Sequence, residues 1–290
     1  MSRIIVMGSG VVGKATGLGL IDHDHQVTFV DLNEDVLAQL HSEGHDAVTP
    51  DAMDLNAVHA VFVSVTALTG PDGIDLTHLL SATRTLGERI GTLSEGFPIV
   101  VFRCTMPPGT TRGTLIPLLE ETSGKRVGEG FGVVYCPEYL RAATAAEDFR
   151  RPRIVTLGSL ARHDRAHEAI GHIMSDFGAA LHWLPFEAAE FQKYVNNVGN
   201  AVKISTYNWF RLLAEKIGLE GAHLERAFEL SVLSAEGLWN SSYGTRNFGA
   251  YSGACLPKDT AALRTYAGEL GLDISLLEAV EDINRAVGGS

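Results

Sequence analysis

Ile4-Ile5-Val6-Met7-Gly8-Ser9-Gly10-Val11-Val12-Gly13 is the stretch that decides the fold. Ile4 to Met7 reads as a buried strand, the glycines follow at Gly-x-Gly-x-x-Gly spacing, and Val12 to Ile21 then has helical spacing. Each glycine has its own task. Gly8 allows a tight turn, Gly10 lets the backbone approach a pyrophosphate, and Gly13 lets the helix pack closely on the strand. The helix start offers unpaired N–H groups and the positive end of its dipole to the phosphates. A second strand, Val27 to Val30, ends in Asp31, about where a carboxylate bonds the hydroxyls of an adenosine ribose. Strand, glycines, helix and acid in this register predict a dinucleotide site built from Gly8, Gly10, Val11, Val12, Gly13 and Asp31. A carboxylate at Asp31 repels a 2′-phosphate, so the expected cofactor is NAD and not NADP. Lys14 reads as a solvated helix residue.

Outward from this unit the alternation continues. Val61 to Val65, Ile99 to Phe102, Gly132 to Tyr135 and Ile154 to Leu157 read as strands, with amphipathic stretches such as Leu76 to Ile90 between them. After Pro185 the character changes. Phe186 to about Glu215 is one long helical stretch without proline, and helical sequence returns over His223 to Leu238 and from Thr260 onward. The expected architecture is α/β, a Rossmann-type doubly wound parallel sheet followed by an all-α domain. Residues 1–185 form the cofactor-binding domain in this division, and residues 186–290 a helical domain for substrate and dimerisation.

A length of 290 residues suits two domains. A hydrophobic fraction of 45% with 20% charged residues is that of an ordinary globular chain. The formal charge of −12 argues against nucleic acid, because phosphate binding needs clustered Lys and Arg. The densest basic stretch, Arg150-Arg151-Pro152-Arg153, reads as a solvated loop. No run approaches the ~20 apolar residues of a membrane span. Met1-Ser2-Arg3 passes directly into a strand, so neither a signal peptide nor a membrane partner is expected. The cysteines, Cys104, Cys136 and Cys255, have no metal-type spacing. Neither a metal site nor a disulfide scaffold is expected, and a cytoplasmic setting fits.

Four further motifs carry chemistry. Cys104-Thr105-Met106-Pro107-Pro108-Gly109-Thr110-Thr111 and Cys136-Pro137-Glu138-Tyr139-Leu140-Arg141 each follow a strand. Glu190-Phe191-Gln192-Lys193-Tyr194-Val195-Asn196-Asn197 lies on the long helix, and Gly253-Ala254-Cys255-Leu256-Pro257-Lys258-Asp259 in a Gly-rich loop. Lys193 and Asn197 are four apart and share a helix face, where a cation and an amide can stabilise a developing oxyanion. A plain surface lysine is the alternative. Cys255 sits among small residues beside Lys258 and Asp259, where a thiolate can attack an aldehyde. Glu138 at a strand end can act as a base, or be an ordinary surface glutamate. Cys104 and Cys136, at strand ends, read as small core residues.

In this order the motifs resemble the UDP-glucose/GDP-mannose dehydrogenase family, from Arg3 to about Arg285. The resemblance implies a twofold oxidation that consumes two NAD: a primary alcohol becomes an aldehyde, then passes through a thiohemiacetal and a thioester at Cys255 to a carboxylate. It makes Lys193 and Asn197 the oxyanion-stabilising pair, and Asp259 the partner of a bound water or of the lysine. Thr105 becomes the water-orienting threonine, and Glu138 the general base for thioester hydrolysis. Lys258 matches a family lysine without a firm role. The family dimerises through its helical domain. Here Val195, Val198, Val202, Ile204, Trp209, Phe210 and Leu213 exceed one core-facing stripe. A homodimer is therefore expected, with burial inside the domain as the alternative.

The resemblance is incomplete in places. Family members continue, after a helix like the one ending at Asn284-Arg285-Ala286, into a third domain that closes over the nucleotide half of the substrate. This chain stops at Gly288-Gly289-Ser290 and reads as a short member lacking that domain. Ala142 stands where the family often has a second glutamate, Ala67-Leu68 where it usually has Thr-Pro, and the loop from Phe248 to Ala254 is one residue longer. The expected substrate is therefore a sugar nucleotide or a related nucleoside or sugar phosphate. Two other readings share these residues. Lys-x-x-x-Asn on a helix after a Rossmann unit also resembles the β-hydroxyacid dehydrogenases, which make a single hydride transfer; the Cys-Leu-Pro-Lys-Asp motif argues against them. The other is a catalytically silent NAD-binding paralogue, against which the intact Lys193, Asn197, Cys255 and Asp259 speak.

Overall fold

In the computed structural model the described residues are 1–70, 73–245 and 249–288. Phe248 of the Gly-rich loop and the closing Gly289-Ser290 lie outside them. The chain forms two compact units, Met1–Asn197 and Val198–Ser290.

The first unit opens with β1 (Arg3–Met7), α1 (Val11–Ile21), β2 (Gln26–Val30), α2 (Glu34–Ser42) and β3 (Asp46–Val48). β4 (Ala60–Val63) leads through a small antiparallel pair, β5 (Leu68–Gly70) and β6 (Gly73–Asp75), into α3 (Thr77–Thr92). Then come β7 (Ile99–Phe102), α4 (Ile116–Ser123), β8 (Gly132–Tyr135), α5 (Ala145–Arg150), β9 (Ile154–Ser159), α6 (Arg165–Ser175), β10 (Ala180–Pro185) and the long α7 (Phe186–Lys216). The main sheet runs β10-β9-β8-β7-β4-β1-β2-β3. β1 lies between β2 and β4, with Val6 beside both Phe29 and Phe62. From β1 the chain builds one way through β2 and β3, and the other way through β4, β7 and β8. An open α/β sheet binds its ligand at such a reversal, outside the carboxyl ends of the strands.

From β3 to β8 the strands are parallel, as the sequence predicts. β9 departs: it meets β8 antiparallel through Tyr135 and Gly158, and β10 pairs parallel to β9. β8 leads through the six-residue α5 into a strand that runs back beside it, so that edge of the sheet is reversed.

Successive strand residues point to opposite faces, and both faces are covered. Ile4, Val6, Phe29, Phe62, Val101 and Val134 pack with Ala15 and Leu20 of α1, Phe149 of α5 and Ile170 of α6. Ile5, Met7, Val61, Val63, Val100 and Phe102 pack with Leu86 of α3, Leu119 of α4, and Phe186 and Ala189 of α7. This double burial is why the strands are apolar throughout and do not alternate. The fully buried rings of Phe29, Phe62, Phe102 and Phe131 each contribute about 1.5–3 kcal/mol of transfer free energy.

The predicted boundary at residue 186 is where α7 begins, yet the compact units divide inside that helix, after Asn197. The first turns of α7 belong with the sheet because Phe186 and Ala189 complete its core. The second unit contains the rest of α7, α8 (Gly221–Ser234), α9 (Glu236–Trp239), α10 (Leu256–Glu269) and α11 (Ser275–Ala286). Its core is small: Trp209, Leu213, Ala267 and Leu277, with the Trp209 indole donating to the Asp273 carbonyl at 2.7 Å. Among the described residues no helix is long and apolar enough to cross a membrane.

Candidate active site

The cofactor loop can be tested by asking what a methyl group at each glycine would meet. At Gly8, with φ +87°, a Cβ would lie 2.9 Å from the backbone of Ser64 and Val65, so the loop is pressed onto the end of β4. At Gly13 it would lie 1.8 Å from the Gly8 carbonyl oxygen, so the helix cannot close on the strand with any side chain there. At Gly10 it would meet nothing within 4 Å. Gly10 is also the N-cap of α1 and provides no side-chain cap, which leaves the N–H groups of the first turn for a ligand. Asp31 is held by the Ser9 N–H at 2.7 Å and the Asn33 N–H at 2.9 Å. It is tied to the glycine loop and keeps lone pairs for ribose hydroxyls. Open backbone at a helix start with an oriented acid beside it fits a dinucleotide. Lys14 instead pairs with Glu43 at 2.8 Å.

A cleft of about 280 Å³ extends from this loop. It is lined by Gly10, Val11 and Val12 after β1, Ser64 to Ala67 after β4, Arg103 to Thr105 after β7, and Glu138 after β8. Thr105 and Glu138 thus share a wall with the cofactor loop. Glu138 is fixed from two sides: one carboxylate oxygen accepts from the Leu140 N–H at 2.7 Å and the other from the Lys193 ammonium at 2.8 Å. The same ammonium donates to the Glu138 carbonyl, and lies 5.4 Å from the centre of the Tyr139 ring. Lys193 is only 3% exposed, so it is not a surface lysine. Asn197, four residues on, is exposed, and its side-chain oxygen accepts from Asn196 at 2.9 Å.

Two charged groups that sequence reasoning left unassigned lie close by. Glu190 is fully buried, and its carboxylate accepts from the backbone N–H groups of Gly109 and Thr111. Its one available signal was its place on α7, three residues before Lys193. Arg103 is 4% exposed and donates to the Cys136 sulfur at 3.3 Å, with its guanidinium 5.2 Å from the centre of the Phe149 ring. A charge at the end of the apolar run Ile99 to Phe102 was its signal. Burial pushes the Cys104 thiol up to about 12 and raises Cys136 as well, the latter against the pull of Arg103. Burial, and after it the Glu190 carboxylate, raise the Tyr135 phenol. All of these groups belong to the first unit.

The remaining predicted site residues belong to the second unit. Cys255 is exposed and forms the N-cap of α10, with its carbonyl accepting the Asp259 N–H at 2.8 Å. Asp259 pairs with Lys258 at 3.2 Å, both side chains being exposed. The preceding loop is anchored by Asn284, 5% exposed, whose amide accepts from the Tyr251 N–H at 2.7 Å and donates to the Tyr251 carbonyl at 3.1 Å. Gly253, at φ +89°, turns the chain toward Cys255 in a conformation that favours glycine.

Residues 2–176 match the NAD binding domain of the UDP-glucose/GDP-mannose dehydrogenase family, and residues 187–286 match that family's central domain. This chain belongs to the UDP-glucose/GDP-mannose dehydrogenase family. Its cofactor is NAD. A UDP-glucose 6-dehydrogenase of Haloferax volcanii is 32% identical over 97% of this chain and 69% of its own length. A GDP-mannose 6-dehydrogenase of Pseudomonas putida is 28% identical over 98% of this chain and 68% of its own. Among solved structures, a ternary complex of GDP-mannose dehydrogenase from Pseudomonas aeruginosa superposes with a TM-score of 0.88 at 27% identity, covering 98% of this chain and 69% of that one.

Proposed function

We propose that this dehydrogenase oxidises a primary alcohol of a sugar nucleotide, or of a related nucleoside or sugar phosphate, to the carboxylate in two NAD-dependent steps. The observation that carries the reading is the position of Glu138: its carboxylate lines the cleft that begins at the NAD loop and also grips the buried Lys193 ammonium. The relatives named as UDP-glucose and GDP-mannose 6-dehydrogenases supply the substrate class.

NAD, when bound, takes the hydride in each oxidation. Lys193 has three N–H donors, two of them engaged by Glu138, which leaves one for the oxygen of the reacting alcohol as negative charge develops on it. Asn197 is the second donor to that oxygen. The Cys255 thiolate adds to the aldehyde carbon, forming a C–S bond and a thiohemiacetal; loss of the second hydride leaves a thioester. A water oriented by Thr105 loses its proton to Glu138 and attacks the thioester carbon. The C–S bond breaks, giving the carboxylate and the free thiol. Asp259 partners a bound water or the lysine in this scheme, and the hydroxyl proton of the alcohol leaves to bound water as the first hydride is lost. A working Cys255 must stay reduced, which fits a cytoplasmic enzyme.

Mass spectrometry of the intact protein tests this. With UDP-glucose or GDP-mannose and NAD, Glu138→Gln should accumulate an acyl adduct at Cys255, because hydrolysis is slowed while acylation is not. Complete acid formation by Cys255→Ala at the wild-type rate would overturn the thioester route.

The reading includes a homodimer. Phe191, Val195, Val198 and Val202 recur along α7 at spacings of four, three and four, and each is more than half exposed. A stripe of this kind is what a partner helix covers. Light scattering should give twice the chain mass; a monomer over a wide concentration range would count against the dimer.

A further inference from the structure

We propose that Glu190 is a positioning residue for the reaction: with Lys193 it makes one turn of α7 into a clamp that fixes Thr105 relative to Glu138. The inference rests on the reading above, in which Thr105 and Glu138 handle the hydrolytic water.

Glu190 is fully buried and, among the described residues, forms no ion pair. What it holds is a turn. Its two carboxylate oxygens take the N–H groups of Gly109 and Thr111, at the start of the helical segment that leads into α4. Those N–H groups have no intrahelical acceptor, and the positive end of the helix favours an anion there. The turn is closed by its own bonds as well. The Thr110 N–H and hydroxyl both donate to the Pro107 carbonyl, at 3.1 and 2.6 Å, and the Thr111 hydroxyl donates to the Met106 sulfur at 3.7 Å. Thr105 stands immediately before this segment and lines the cleft with Glu138.

One helical turn further along α7, Lys193 grips Glu138 by both its carbonyl and its carboxylate. Between them Gln192 accepts from the hydroxyls of Tyr139, at 2.6 Å, and Thr156, at 2.9 Å. The loop after β7 and the loop after β8 are thus fastened to the same short stretch of helix. Glu190 and Lys193 are three residues apart, a rise of about 4.5 Å along the axis, and a helix buried at that point has little freedom to vary it. The roots of the two loops are already held, by the pairing of β7 with β8 and by the bond from Arg103 to the Cys136 sulfur; the clamp acts on the residues beyond them, Thr105 and Glu138. A carboxylate suits this task where an amide does not: glutamine offers one acceptor, and its NH₂ would oppose the second backbone N–H.

The test is a double-mutant cycle in the full chain with NAD and, as probes, UDP-glucose and GDP-mannose. Glu190→Gln should lower kcat by about tenfold or more while the KM for NAD stays within about threefold. Thr105→Ala should also lower kcat, and adding Glu190→Gln in that background should cost less than about twofold, because the clamp acts through a side chain already removed. An equal loss from Glu190→Gln in both backgrounds would overturn the inference, since a merely structural role is independent of Thr105. If Thr105→Ala alone keeps the wild-type kcat, the role given to Thr105 fails and not the clamp. Hydrogen exchange then decides, as it does if neither probe is oxidised. In Glu190→Gln the exchange over residues 104–111 should rise about tenfold with residues 132–141 unchanged, and unchanged exchange over 104–111 would refute the clamp. Should Glu190→Gln fail to fold, Glu190→Asp, which keeps the charge and loses the reach, is read the same way.

Discussion

Replacing Lys193 by methionine keeps most of the buried stem and removes the ammonium, so it isolates the ion pair from the packing around it. The Lys193 side chain is 3% exposed and its partner Glu138 is 16% exposed. Removing one partner of a buried pair costs about 3–5 kcal/mol, because the other charge is left without compensation. Glu138 keeps the Leu140 N–H and some access to water, which brings Lys193→Met below that range, to about 2–3 kcal/mol. For a chain of this size that lowers Tm by about 4–12 °C. Lys193→Met/Glu138→Gln contains no orphaned charge, so it should recover at least about 1 kcal/mol relative to Lys193→Met. Urea unfolding and thermal melts of wild type, both single variants and the double variant give the coupling. If Lys193→Met is as stable as wild type, or the double variant no more stable than Lys193→Met, Lys193 does not hold Glu138 in the protein.

The glycine loop separates folding from cofactor binding. Gly10→Ala points a methyl into open space, so Tm should move by less than about 1 °C while the NAD Kd rises about tenfold or more. Gly13→Ala forces a methyl against the Gly8 carbonyl and should cost about 1–3 kcal/mol of stability as well as affinity; calorimetric titration and melts distinguish the two. With the Cys104 thiol pushed up to about 12 and Cys136 also raised by burial, iodoacetamide should label exposed Cys255 alone in the native protein at about pH 8. Comparable labelling of Cys104 in peptide maps would contradict that burial. Burial lowers the His25 imidazole below its ordinary value, against the opposing pull of Asp176. The unfolded chain therefore takes up a proton that the folded one resists, so stability is full above about pH 6.5 and is lost as pH falls toward the folded value. The urea midpoint of wild type should drop more between about pH 7 and 5 than that of His25→Gln, and parallel curves would refute the assignment.

What the sequence disclosed and what it hid follow from the range of the interactions. Gly8 and Gly13 were legible because each meets a local backbone requirement, as the contacts a Cβ would make there show, whereas a Cβ at Gly10 would face open space. The apolar runs of β1, β4, β7 and β8 were legible because both faces of the sheet are covered. The reversal of β9 and β10 was not, since residue pattern carries no strand direction; β10, mostly exposed at the sheet edge, has no alternation to betray it. The bond from Lys193 to Glu138 spans 55 positions, and that from Glu190 to Thr111 spans 79. Helical spacing shows that Lys193 and Asn197 share a face, but not that burial ends between them. The compact units divide after Asn197 for a related reason: the composition changes at Pro185, while the packing changes only where α7 leaves the sheet core.

The most direct test of the central claim is the NADH yield per substrate consumed, measured by absorbance with UDP-glucose or GDP-mannose limiting and NAD in excess. Two NADH per sugar nucleotide, with the carboxylate as product, is the predicted result. One NADH per substrate, with the aldehyde accumulating as final product, would contradict it.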